Sequence, residues 1–434
     1  MDEHIPKLYR EYGKYVNSSR AFPLDIDGLK PVERKILLSA YMIAKDKFVK
    51  SVKVDGICLG NFHPHSSAYG TIVQLVHQGF LEGQGNFGIN VGIEDVGAAA
   101  ARYTEIKLSK YIKELSFKYL DFVLWEVNEL QEKEPIHLPT MFPLCLLGNN
   151  YIQGIGFGYR TIIPCYTLED LNKRLMWLLG IIKKEPIIKP ITDCKIISKD
   201  SDLKKLLTTG RANIEFKGIM KIDNIHSRII IKSWPNGKKF ESILKKISKE
   251  LENQDVGFTD LSTTETNIII EVIKQRNKAD ILNRVIEKLE DALTGSVSFD
   301  IIVTNKMKNI RTISVDELLL NTYKMFKTIN KVRLNHEIDI LNKHIEENII
   351  IEKIKPLLIN YLKTVYKDPF EIIEKISKDL NIEKDIVNML FNKHKINKLL
   401  SVKLDNQKLK DKINEFKDNL KNIDQYVNSQ YQIN

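Results

Sequence analysis

Arg102 and Tyr103, in the run AAAARYTE at Ala98–Glu105, have the side chains of a reacting pair. A tyrosine hydroxyl titrates near a pKa of about 10, so it serves as a nucleophile only where cations favour its phenolate. Arg102 is chemically suited to that task and to offsetting the charge of a phosphate. The four small residues ahead of the pair let the backbone pack closely. Taken alone, such a tyrosine is more often a core or interface aromatic.

Upstream, the pattern reads as three helices, over Pro31–Ala44, Val52–Asn61 and Ser66–Gln78. Ser66 stands as N-cap of the third, which carries an apolar Ile72, Val73, Val76 face. The tight turn FHPH joins the second and third at helix-turn-helix spacing, which would place the third helix in a major groove. Most short helix pairs bind no nucleic acid, so this spacing is a weak signal by itself. The segment EGQGNFGIN at Glu82–Asn90 holds three glycines within six residues. It fails GxxxxGK[ST], and as GxGxxG it leads into no clear helix, which excludes a nucleotide loop and leaves a tight turn.

These segments sit in a chain of 434 residues, 43% hydrophobic, long enough for two to four cored domains. Its 66 Lys+Arg against 56 Asp+Glu give a net charge of +10, which favours a polyanionic partner without identifying it. No charged-then-apolar leader opens the sequence, and the longest apolar run, Leu175–Ile182, is too short to cross a bilayer. A soluble, unexported protein with no membrane partner is expected. Cys58, Cys145, Cys165 and Cys194 lack CxxC spacing, so reduced, partly buried thiols are expected rather than a zinc site or disulfides.

The first boundary falls at EPIHLPTMFP, Glu134–Pro143, whose three prolines break regular structure. From about 138 to 312, β-branched runs such as Arg228–Lys232 and Asn267–Ile273 alternate with helical runs such as Lys239–Leu251, an α+β pattern. Beyond Thr312 the pattern is almost wholly helical. Leu334, Ile338, Leu341 and Ile345 recur at 4-3-4 spacing, as do Leu409, Ile413, Phe416, Leu420 and Ile423 at 4-3-4-3. Shorter segments broken at Pro356 and Pro369 lie between, so the two seamed helices can return on each other with a globular tip. An ordinary helical bundle has the same periodicity.

Taken in order, the motifs resemble the breakage-reunion subunit of type IIA DNA topoisomerases, the family of the A subunits of gyrase and topoisomerase IV and of eukaryotic topoisomerase II. The resemblance starts at Tyr12 and runs through RAFPLDIDGLKPVERKIL at Arg20–Leu37, HPH at His63–His65 and GQGNFG at Gly83–Gly88. It continues through ARYTE at Ala101–Glu105, LPTMFP, and GIGFGYRTIIP at Gly154–Pro164. It implies an α+β chain with a winged-helix (helix-turn-helix) DNA-gate domain at 1–137 and an α+β tower domain at 138–312. A long antiparallel coiled coil would follow at 313–434, with a small helical dimerisation tip, the C-gate, at about 346–400.

By the same resemblance, Tyr103 forms a 5′-phosphotyrosyl link and Arg102 is the cation beside the scissile phosphate. Arg20, Lys30 and Arg34 match positions near the active site and DNA backbone. His63 and His65 match the HPH pair, and Ser67, just beyond, is placed with the DNA-binding residues. Ile155 falls where the family has an isoleucine that wedges between base pairs, and Gly154 and Gly156 favour a protruding turn there. Two departures stand out. Ser66-Ser67-Ala68 replaces the usual Gly, an acidic or polar residue, then Ser, with one residue missing locally, and Gly70 falls where bacterial enzymes often carry a carboxylate that helps quinolones bind.

Neither a Toprim acidic cluster nor an ATP-binding module is present in the sequence. The resemblance therefore places Mg²⁺ and ATP on a separate Toprim/ATPase chain, with this chain a homodimer inside a heterotetramer or larger complex on double-stranded DNA. The sequence ends at Asn434 just past the second seamed helix, without a β-pinwheel, a layout similar to the medium subunit of phage topoisomerases. Relaxation and decatenation in the cytoplasm, of a bacterial host if phage-encoded, are the expected activities. A dimeric helix-turn-helix regulator explains the charge and seams but leaves RYTE and GIGFG without a reason. Topoisomerase VI-type subunits carry their own Toprim domain, which argues against them.

Overall fold

The structure is a computed structural model that describes residues 4–432, apart from 90, 92, 94–95, 236, 264, 275, 364–368, 395–398 and 401–403. Helix and sheet together make an α+β chain, with every described strand before residue 313 and only helices after it. Two compact units are present, Met1–Phe326 and Lys327–Asn434.

The first unit opens with α1 (His4–Val16), α2 (Pro31–Ile43), α3 (Ser51–Ile57) and α4 (Tyr69–His77). Pro31 at the first turn of α2 lacks the N–H that would be orphaned there, and Glu33 accepts the Lys30 N–H at 2.9 Å. The helix buries Ile36, Leu37, Leu38 and Ala40 and packs on α3 and α4, which bury Val54 and Ile72 and Leu75 in turn. After α3 the chain continues as a wide turn, Cys58–Phe62, closed by the His63 N–H on Cys58 O.

The third helix begins at Tyr69 with Ala68 as its N-cap, two residues later than a Ser66 cap would have it. The reason is Asp55 of α3, whose carboxylate takes the Ser67 hydroxyl at 2.7 Å and the Ala68 N–H at 2.8 Å. That carboxylate serves the donors a serine cap would have served. Three short strands, β1 (Val49–Lys50), β2 (Leu81–Gln84) and β3 (Glu105–Leu108), form an antiparallel sheet in the order β1-β3-β2 beside these helices.

Two further hairpins matter for the site. They are β4 (Trp125–Val127) with β5 (Lys133–Pro135), and β6 (Ile152–Ile155) with β7 (Arg160–Ile163). β6 and β7 edge a five-stranded sheet completed by Thr294–Asp300, Arg211–Lys217 and Lys195–Ile196. A separate four-stranded sheet, with Arg228–Ile231 and Ile268–Val272 at its centre, buries alternate isoleucines under the helix Lys278–Ala292. Cys58, Cys145, Cys165 and Cys194 are all free and buried, more deeply than expected. Among the described residues, no helix is long and apolar enough to cross a membrane.

In the second unit, contacts between Asn330 and Gln430 and between Asn348 and Asn406 run in opposite sequence directions, so the two helical arms are antiparallel. Leu334, Ile338, Ile413 and Ile423 of the seams are buried. Pro356 does not break the first arm, contrary to expectation, because the helix Val315–Lys363 runs through it. A proline inside a helix costs about 3 kcal/mol. Here the flanking Ile354 and Leu358 are fully buried with Ile372, Ile376, Val387 and Leu390. Each such side chain contributes about 1.5–3 kcal/mol, so packing outweighs the lost hydrogen bond.

Candidate functional site

Tyr103 stands at the end of a short turn leading into β3, with 64% of its surface exposed. The turn is clasped on every side. Ser51 and Val52, at the start of α3, donate their N–H groups to Thr104 O at 2.9 Å and Ala101 O at 3.2 Å. Tyr69, first residue of α4, reaches Ala99 O at 2.6 Å and Thr104 Oγ1 at 3.0 Å. Thr104 is wholly buried and donates its hydroxyl to Ser51 Oγ at 2.8 Å. Gly85, at φ +105°, lies so close that a side chain there would press on the Tyr103 carbonyl. The Arg102 guanidinium lies 4.6 Å from the centre of the Tyr103 ring, and among the described residues it makes no ion pair.

The HPH turn follows α3. His63 is half-buried and His65 exposed, their rings edge-to-face at 5.0 Å. Burial pushes His63 down to about 4, helped by His65 and the cations of Lys35 and Arg20 and opposed by Asp55. It is neutral at pH 7, a hydrogen-bonding group rather than a cation. The turn is braced from two sides, by Lys35 Nζ on Phe62 O at 2.6 Å and by Asn128, between β4 and β5, on Asn61 O at 2.8 Å. Arg20 is exposed beside it.

Lys30 Nζ donates to the Gln153 carbonyl at 2.7 Å and lies 3.9 Å from the Glu33 carboxylate, so its charge stands, only 16% exposed, at the base of the β6–β7 hairpin. Ile155, the last residue of β6, is 78% exposed. Its neighbours act otherwise than expected. A Cβ on Gly154 would fall 2.5 Å from Ala21 O and one on Gly156 would fall 2.3 Å from Asn17 Oδ1, so these glycines let the hairpin pack tightly. Strand alternation then turns Ile155 outward.

Two assigned residues are engaged elsewhere. Arg34 closes its fork on the buried Asp27, at 2.7 and 3.0 Å, and its side chain is only 12% exposed. Burial opposes its charge, but Asp27 outweighs that and holds the guanidinium up. Asp27 also takes the N–H groups of Leu29 and Leu138, so Arg34 supports the loop before α2 instead of facing outward. Ser67 likewise spends its hydroxyl proton on Asp55 and accepts the Tyr69 N–H at 3.3 Å. In both cases a carboxylate outside the residue's own turn, seven and twelve positions upstream, supplies the partner.

Among the described residues, no hydrogen bond, ion pair or ring contact joins Arg102 or Tyr103 to Arg20, Lys30, His63 or His65. Nor do three His, Cys, Asp or Glu side chains converge to hold a metal ion there. The fold does reveal residues that motif reading passed over. Tyr69 and Asp55 looked like ordinary helix residues, with no periodic or motif signal. Arg10, Lys14 and Lys308 line one cleft with Tyr9, Phe157 and Tyr159, beside the Ile155 hairpin. Basic residues interleaved with aromatics fit a nucleic-acid backbone, but they come from three distant segments.

An exposed tyrosine and an arginine thus stand together on a hydrogen-bonded turn of a basic α+β chain. The family described as the A subunit of DNA gyrase/topoisomerase IV matches residues 20–434, and the chain belongs to that family. It is 29% identical over 335 residues to the DNA gyrase A subunit of Clostridium acetobutylicum, covering 70% of this chain and 40% of that protein. The corresponding protein of Halalkalibacterium halodurans is 31% identical over 316 residues, covering 66% of this chain and 37% of that one. For Staphylococcus aureus the figures are 28% over 360 residues, covering 76% and 40%. The chain thus spans about 40% of the length of the curated relatives it matches.

Proposed function

We propose that this chain is the DNA-cleaving and rejoining subunit of an ATP-dependent type IIA topoisomerase, with Tyr103 as nucleophile. The observation that carries the reading is the clasped turn presenting Tyr103 and Arg102 together to solvent. Tyr103 Oη gives up its proton and attacks a backbone phosphorus. The bond from phosphorus to the 3′-oxygen breaks and that oxygen takes up a proton, balancing the one the tyrosine lost and leaving a 5′-phosphotyrosyl link and a free 3′-hydroxyl. Attack by that hydroxyl reverses the step and releases the tyrosine. Arg102 offsets phosphate charge as the tyrosine bond forms.

In this reading the helices α2–α4 with the sheet β1-β3-β2 form a winged-helix domain at 1–137. Residues 138–312 form the tower and 313–434 the coiled coil, with a dimerisation tip at about 346–400. Arg20, Lys30, His63 and His65 face double-stranded DNA, as do Arg10, Lys14 and Lys308, and Ile155 wedges between base pairs. Mg²⁺ and ATP are held by a separate Toprim/ATPase chain, the metal supplying further charge stabilisation at the transferring phosphate. Two copies of this chain supply one tyrosine per strand, within a cytoplasmic heterotetramer or larger complex that relaxes and decatenates DNA. The competing reading, a regulator that only binds DNA, gives RYTE no task.

The test is to trap cleavage complexes of the reconstituted enzyme with detergent and protease. Tyr103→Phe is expected to bind DNA normally and to yield no 5′-linked peptide. An adduct persisting in that variant would mean another residue is the nucleophile.

A further inference from the structure

We propose that Tyr69 is a positioning residue for cleavage, holding α4 to both flanks of the turn that carries Arg102 and Tyr103. The inference rests on the reading of Tyr103 as nucleophile. Ala99 precedes the reacting pair and Thr104 follows it, and the Tyr69 hydroxyl touches both, at 2.6 and 3.0 Å. No other side chain of α4 makes a hydrogen bond to this turn among the described residues.

Several features make the contact specific to the turn. The fold around it has other supports: α4 begins on Asp55, β3 is paired on both sides by β1 and β2, and Ala99 N–H is held by Asn86 O at 2.9 Å. Removing one hydroxyl from Tyr69 leaves all of these in place. It does strip the Ala99 carbonyl of its donor and release the buried Thr104 hydroxyl from one neighbour. The turn then keeps its backbone bonds to Ser51 and Val52 on the α3 side and to Asn86, but loses its side-chain tie to α4. Displacement of a reacting group by about 1 Å costs on the order of a hundredfold in rate. With α4 as the helix that meets DNA, Tyr69 sets the tyrosine at a fixed offset from the helix that docks the substrate.

The experiment compares full-length wild type, Tyr69→Phe, Thr104→Val and the double variant in the reconstituted enzyme. For Tyr69→Phe, the cleavage rate at saturating DNA is expected to fall about tenfold to a hundredfold, with DNA affinity and melting temperature close to wild type. Because both hydroxyls belong to one network, the double variant should lose no more than the worse single one. In the chain alone, with tyrosine rings isotopically labelled, the Tyr103 signal should shift or broaden in Tyr69→Phe. A wild-type cleavage rate in Tyr69→Phe overturns the proposal. So does a loss of affinity or melting temperature that matches the loss of rate, since Tyr69 would then be merely structural. Additive losses with an unmoved Tyr103 signal overturn it too. Cleavage surviving in Tyr103→Phe would instead remove the nucleophile reading, a separate result.

Discussion

Lys30 Nζ donates to the carbonyl of Gln153 across 123 positions of sequence, joining the start of α2 to the strand β6 that ends in Ile155. The cation is therefore tied directly to the strand that carries the outward isoleucine. If DNA is gripped at Lys30 and bent at Ile155, as proposed, the two events are mechanically joined.

Ile155→Ala is expected to lose most of the DNA bend while weakening binding only modestly. Unstacking a base step costs a few kcal/mol, which an inserted apolar side chain offsets and a methyl group cannot. Single-molecule FRET across a short duplex reads the bend, and a wild-type angle would remove the wedge assignment.

Arg34→Ala is expected to destabilise the fold by roughly 3–5 kcal/mol, because it leaves the Asp27 carboxylate buried without its cation. Chemical denaturation measures this. A variant of unchanged stability but weakened DNA binding would return Arg34 to the DNA surface.

His63 makes stability depend on pH. Its imidazole titrates at about 4 when folded and near 6.5 as a free side chain, so between these values the unfolded chain binds more protons. Stability should therefore fall as pH drops through that window and level off below it. His63→Gln is expected to flatten this part of the profile in denaturation series at pH 4 to 7. An identical profile would mean that other groups govern the window.

In the proposed homodimer, the exposed Phe370 and Met389, beside the buried cluster of Ile372, Val387 and Leu390, are expected to meet their counterparts in the second copy. Phe370→Asp with Met389→Asp should shift sedimentation from dimer to monomer and leave the helical signal intact. Unchanged mass would place the dimer contact elsewhere.

What the sequence by itself determined was what depends on near neighbours. Pro31 and Glu33 start α2 at the expected residue, the runs around Ile229 and Ile270 alternate as strands, and the apolar seams at Leu334 and Ile413 read directly as helix. The motifs from Arg20 to Pro164 also named the family. Tertiary structure decided the fate of each polar group, because its partner is set by how separate loops and elements come together, whatever their separation in sequence. Arg34 and Ser67 carried the residue types of a DNA surface, yet Asp27 and Asp55 claim them. Gly154 and Gly156 read as the makings of a protruding turn, and they also give clearance for Ala21 and Asn17. Pro356 read as a break until the burial of Ile354 and Leu358 outweighed it. Tyr69 had no local signal at all, since its meaning lies in a hydroxyl that meets Ala99 and Thr104, thirty and thirty-five residues downstream.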